Sequence, residues 1–79
     1  MKVRYVGKSF GIDSLTDGKV YEVVCYEADI GALRVIDDSG YGYLYNPLGP
    51  KPLVADEPYG RFEIVEDDEN GTLDMAINH

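Results

Sequence analysis

Seven tyrosines offer the sequence's best means of contacting another molecule, and three of them alternate within one short segment. Tyr41, Tyr43 and Tyr45 are separated by Gly42 and Leu44. Alternate side chains of an extended strand point to the same face, so the three rings would form a stripe. A tyrosine stripe gives a protein ligand apolar contact area with a polar tip, yet large aromatic side chains also fill the cores of small domains. The sequence leaves both interpretations open.

The acidic C-terminal segment matches part of a calcium-binding loop. Glu66, Asp68 and Asn70 alternate as the first ligands of such a loop do, and Gly71 occupies its sixth position. The match fails at the first ligand, which is usually Asp, and at the twelfth position, where Ile77 replaces a bidentate glutamate. We therefore expect no metal site, and the sequence indicates no other cofactor.

The residues needed for catalysis are scarce. Cys25 is the single cysteine and His79 the single histidine, so the chain can build neither an internal disulfide nor a closed zinc site. Because His79 is the last residue of the sequence, no Ser-His or Cys-His pair is expected. Asp37 and Asp38 lie in a turn signal, where a carboxyl pKa is not raised enough for acid–base work. We expect no enzymatic activity.

The charge distribution bears on possible partners. Residues 1–51 carry six basic and seven acidic side chains, whereas residues 52–79 carry one and eight, which together give the net charge of −8. The second half would repel a polyanion, so direct nucleic-acid binding is not expected. The sequence shows no export signal and no long apolar run. We expect a soluble cytoplasmic protein that does not bind membranes and is a monomer or weak dimer.

Alternation of apolar and polar residues between turn signals predicts an all-β fold. The predicted strands are 2–6, 19–27, 32–38, 41–45 and 60–66. A long loop follows the first strand, and a loop at 46–58 that contains all four prolines precedes the last. The predicted core comprises Tyr21, Val23, Leu33, Val35, Phe62 and Ile64. Val3 and Tyr5 share one face of the first strand, Cys25 lies on the inward face of the second, and Phe10, Ile12 and Leu15 would anchor the first loop to the core. Residues 1–66 would form the domain, and 67–79 an acidic tail, predicted to be disordered.

Several segments also resemble a known family. They are Val3-x-Tyr5-Val6-Gly7, Leu15-Thr16-x-Gly18-Lys19-x-Tyr21-x-Val23, Val35-Ile36-Asp37-Asp38-Ser39-Gly40, Tyr43-Leu44-Tyr45 and Phe62-Glu63-Ile64-Val65. Together they resemble a group of short SH3-like barrel proteins of bacteria and their phages, which are largely uncharacterised. The resemblance covers residues 2–66 and implies a small five-stranded SH3-like barrel, but no activity.

Two functions remain from different classes. The first is a small protein-interaction module whose contact surface includes Tyr26, Tyr41, Tyr45 and Tyr59, since aromatic side chains supply most of the contact energy at interfaces. The alternative is an acidic decoy, in which residues 52–79 imitate a phosphate backbone and occupy the nucleic-acid-binding surface of a host protein. Salt dependence separates them, because contacts driven by charge weaken steeply with added salt.

Overall fold

The computed structural model describes residues 1–7, 14–50 and 60–78, which form five strands and one short helix. The elements are β1 (Lys2–Val6), β2 (Val20–Glu27), β3 (Ala32–Ile36), β4 (Gly42–Tyr45), β5 (Arg61–Glu66) and α1 (Thr72–Asn78). The strands make one antiparallel sheet in the order β4-β3-β2-β1-β5. All five predicted strands are confirmed to within two residues at each end. Among the described residues, no helix is long and apolar enough to cross a membrane.

One face of the sheet carries the core. Directly opposed residues of neighbouring strands share a face, and Val3 pairs with Tyr21 while Tyr5 pairs with Phe62. The buried apolar residues are Val3, Tyr5, Leu15, Tyr21, Val23, Leu33, Val35, Phe62, Leu73 and Ala76, with Ile64 partly buried against them. The alternation therefore assigned the core face of β1, β3, β5 and the first half of β2 correctly, and it left the core face of β4 open.

A β-bulge reverses the faces within β2. Val23 pairs with Val35, but the next pair along the ladder is Cys25 with Arg34, so β2 contains one extra residue. A shift of one residue moves each later side chain to the other face. Cys25, predicted to face the core, lies instead on the outer face beside Arg34. Tyr26 takes its place and packs partly buried against the core.

The acidic tail is ordered in the structure, so the predicted disorder is wrong for residues 67–78. The carboxylate of Asp67 accepts the backbone N–H groups of Leu73 at 2.8 Å and Asp74 at 3.1 Å, and Asp68 accepts that of Thr72 at 2.9 Å. The first N–H groups of a helix lack partners within the helix, and these acidic side chains supply them. Leu73 is 0% exposed and joins the core, which anchors α1.

Parts of both predicted long loops lie outside the described residues. These parts are residues 8–13 of the loop predicted after the first strand and residues 51–58 of the predicted proline-containing loop at 46–58. At the ends of these segments, Gly7 and Gly60 approach closely. The N–H of Gly7 donates to Asp17, and the N–H of Gly60 donates to the carbonyl of Pro50.

Candidate functional site

The structure places three of the four tyrosines that were expected to form a contact surface in different environments. Tyr41 is 72% exposed, whereas Tyr26 and Tyr45 are partly buried and packed against the core. Tyr59 lies outside the described residues. Tyr43 was not among the expected contacts, but it is 55% exposed. The tyrosine stripe is therefore divided, with exposed rings at one end and a partly buried ring at the other.

Tyr45 is held by contacts at both ends of its side chain. Its hydroxyl donates a 2.6 Å hydrogen bond to Asp37, and its ring meets the Phe62 ring edge-on at a centroid distance of 6.4 Å. Burial, followed by the neighbouring Asp37 carboxylate, raises the pKa of Tyr45 above its ordinary value. Since β4 and β5 are the two outermost strands of the sheet, this ring contact lies between side chains from its opposite ends.

Asp37 is a buried carboxylate, 7% exposed, whose oxygens are occupied by donors from its own hairpin. One oxygen accepts the backbone N–H of Ser39 at 2.9 Å and the Ser39 hydroxyl, and the other accepts the Tyr45 hydroxyl. A carboxylate can be buried at acceptable cost when hydrogen bonds replace the lost water. Asp37 therefore shapes the turn between β3 and β4.

Asp38 connects that turn to the segment before β2. One of its oxygens accepts hydrogen bonds from Lys19 at 2.5 Å and Tyr21 at 2.9 Å, and the other accepts the Thr16 hydroxyl at 2.7 Å. Desolvation acts to raise the pKa of Asp38, but the hydrogen bonds from Lys19, Thr16 and Tyr21 outweigh it and hold the pKa below its ordinary value. Both carboxylates of the Asp37-Asp38 pair thus serve the structure, as their place in a turn predicted.

The outer edge of β4 is one of the two edges of the sheet. In the part of the chain that the structure describes, β4 has one strand neighbour, β3. The N–H of Asp37 donates to the carbonyl of Tyr41 at 3.3 Å, and hydrogen-bonded pairs alternate along an antiparallel ladder. The backbone groups of Tyr43 therefore face β3, while those of Gly42 and Leu44 face away from the sheet.

Exposed side chains flank this edge on both faces. Tyr43 pairs with Val35 and lies on the core face, whereas Leu44 pairs with Arg34 and lies on the outer face, 42% exposed. We call Tyr41, Tyr43, Leu44 and the outward backbone groups of Gly42 and Leu44 the β4 edge surface. The sequence did not indicate Leu44 as a contact residue, because the tyrosine alternation places it on the opposite face and no local signal marks an outermost strand.

Arg34 covers part of the β4 edge surface. Its guanidinium donates to the outward carbonyl of Gly42 at 3.0 Å and to the Glu27 carboxylate at 2.9 Å. A Cβ atom at position 42 would lie 3.2 Å from Cγ of Arg34, so the glycine lets the arginine stem cross the strand. A planar guanidinium can serve both acceptors at once.

The acidic segment that resembles a calcium loop is used differently in the structure. Among the described residues, no group of three or more histidines, cysteines, aspartates or glutamates is placed to hold a metal ion. Asp68 accepts the N–H groups of Asn70 and Thr72, and Asp67 accepts those of Asp68, Leu73 and Asp74. These oxygens stabilise the start of α1.

Comparisons of the chain with protein-family models, with curated proteins and with solved structures found no match.

Proposed function

We propose that this chain is a small protein-interaction module without catalytic activity, and that it binds its partner through the β4 edge surface. The observation that carries the proposal is the exposure of Tyr41 and Tyr43 beside an outermost strand. Tyrosine loses little side-chain entropy when it is immobilised and supplies both apolar area and a hydrogen bond, which makes it frequent among the residues that dominate binding.

We further propose that the sheet curls into an SH3-like barrel. Its support is the antiparallel strand order and the contact between the Tyr45 and Phe62 rings, which joins the first and last strands of the sheet. Curling leaves Tyr45 partly buried but Tyr43 exposed. The barrel would thus present the β4 edge surface on a rigid support.

The acidic decoy has less support from the structure. A decoy needs carboxylates that are free to face a basic surface, but Asp67 and Asp68 are engaged by backbone N–H groups. The exposed acidic groups that remain would attract a basic partner over a distance, which affects association rate more than affinity. The experiment that tests the interaction module also has a result that would support the decoy.

Site-specific photo-crosslinking tests the proposal in lysate of the native host. A benzophenone amino acid at position 43 should capture a discrete partner, whereas the same group at Glu63, exposed on β5, should not. Replacing both Tyr41 and Tyr43 by Ser should abolish capture by a third crosslinker at Leu44. The matched charge variant, Glu66→Gln with Glu69→Gln, alters exposed acidic residues that do not cap α1. This variant should preserve capture by the crosslinker at Leu44. Capture that survives the tyrosine changes and is lost with the charge changes would support the decoy.

A further inference from the structure

The contact between Arg34 and Gly42 lies where a further β-strand would have to pair. A strand added to β4 would use the outward N–H and carbonyl groups of Gly42 and Leu44. The Arg34 guanidinium already donates to the Gly42 carbonyl at 3.0 Å. Proteins commonly protect an outermost strand from unwanted pairing by placing a charged side chain on it. Arg34 therefore occupies one of the hydrogen-bonding positions that an incoming strand requires.

We propose that the β4 edge surface binds an extended basic peptide segment by strand addition, and that Arg34 acts as a gate that the peptide must displace. The proposal rests on the proposed function and specifies the partner and its binding mode. An extended backbone matches the outward groups of Gly42 and Leu44, which alternate with the inward-facing groups of Tyr43. The displaced guanidinium keeps its bond to Glu27, so opening the gate leaves no charge unpaired.

The side chains beside the edge define what the peptide should contain. Successive residues of an added strand alternate between faces, so one set would contact Tyr43 and the other Leu44. Apolar peptide residues suit the position that contacts Tyr43, the position that contacts Leu44, or both. The chain's net charge of −8, most of it carried by residues 52–79, attracts a basic segment over a distance. It disfavours a second copy of this chain, since two equally charged copies repel each other.

The test uses the full-length protein, labelled with ¹⁵N, and an octapeptide of alternating lysine and valine with blocked ends. Binding should shift the amide signals of Gly42 and Leu44 and slow hydrogen exchange at Leu44. A control peptide with the same side chains, but with every backbone nitrogen methylated, has no N–H group on either edge and cannot pair with β4. The methylated peptide should therefore lose both effects.

The gate is tested by Arg34→Met, which keeps an apolar stem over Gly42 but removes the guanidinium. Releasing one hydrogen bond should tighten peptide binding by roughly threefold to tenfold. Arg61→Met is the matched control, because it changes the net charge equally from an exposed position on β5. Equal tightening in both variants would overturn the gate, because charge alone would then explain the effect.

Three further outcomes would overturn strand addition. The first is that the Gly42 and Leu44 amide signals do not shift in either the unmodified chain or Arg34→Met. The second is that the fully methylated peptide binds as well as the unmodified one. The third is self-association of Arg34→Met without peptide binding. The last would assign the edge to a second copy. If position 43 still crosslinks to a host partner in these cases, the proposed function stands and its strand-addition mode fails; loss of that crosslink removes the proposed function itself.

Discussion

The hydroxyl of Tyr45 donates a 2.6 Å hydrogen bond to Asp37, a carboxylate that is 7% exposed. This bond joins the last residue of β4 to the turn that precedes the strand, so it closes the hairpin across its core face. The same ring contacts Phe62 on β5. One side chain therefore contacts both the hairpin turn, through Asp37, and the strand at the opposite end of the sheet, through Phe62.

Tyr45→Phe should lower the free energy of unfolding by about 1–3 kcal/mol, because it leaves one oxygen of a buried carboxylate without its donor. The ring and its contact with Phe62 remain, so the change isolates the hydroxyl. Tyr43→Phe is the matched control and should alter stability little, since Tyr43 is 55% exposed. Urea unfolding of both variants measures the difference, and equal midpoints would show that the bond to Asp37 adds nothing.

Leu73→Ala should cost about 2–5 kcal/mol, as truncation of a fully buried leucine does. Leu73 is 0% exposed within the core, whereas Met75 in the same helix is 63% exposed. Met75→Ala therefore serves as the control and should leave the melting temperature nearly unchanged. A chain that ends at Glu66 should lose at least as much stability as Leu73→Ala. A disordered tail, as the sequence predicted, would make that truncation nearly neutral, so the experiment distinguishes a docked helix from a disordered tail.

Acid should weaken the start of α1. Hydrogen bonds from the side chain and backbone of Thr72 lead the causes that hold the pKa of Asp68 below its ordinary value of 3.8. A carboxylate with a lowered pKa in the folded state contributes stability that is present above its unfolded pKa and is lost as the pH falls through the folded value.

Asp68→Asn keeps an acceptor oxygen but cannot titrate, so its stability should fall less steeply than that of the unmodified chain below about pH 4. Urea unfolding measured at a series of acidic pH values gives both slopes. Glu69→Gln, which changes an exposed neighbour, should retain the slope of the unmodified chain. Identical slopes for Asp68→Asn and the unmodified chain would contradict the capping role.

Gly60→Ala should destabilise the fold through a direct clash. A Cβ atom there would lie 2.5 Å from Cζ of Tyr5, a residue that is 1% exposed and belongs to the core. Gly40→Ala provides the contrast, since nothing lies within 4 Å of its Cβ but its φ is +84°. Backbone strain alone should cost about 1–2 kcal/mol there. Thermal unfolding should show the larger loss for Gly60→Ala; the reverse order would mean that Tyr5 can move aside.

The sequence by itself determined the strands and most of the core face. Alternation has a period of two, and it is interrupted by turn residues such as Asp37 to Gly40, so the strand positions follow from local pattern. The same pattern selected Val3, Tyr21 and Leu33 as buried. These properties depend on residues close in the chain, which is why they were predictable.

Tertiary structure alone decided which aromatic and acidic side chains remain available. The bulge at Val24 turns Tyr26 to the core face, and no residue in that strand signals it. The ring of Tyr45 contacts Phe62 on β5 whereas Tyr43 is exposed, and local alternation predicts neither, because contacts between distant strands do not depend on it. Asp67 was assigned to a repelled, disordered tail, yet its charge meets the unpaired N–H groups of α1 once Leu73 docks. With Leu73 buried in the core, Asp67 and Asp68 accept the N–H groups at the start of α1 and so cap the helix.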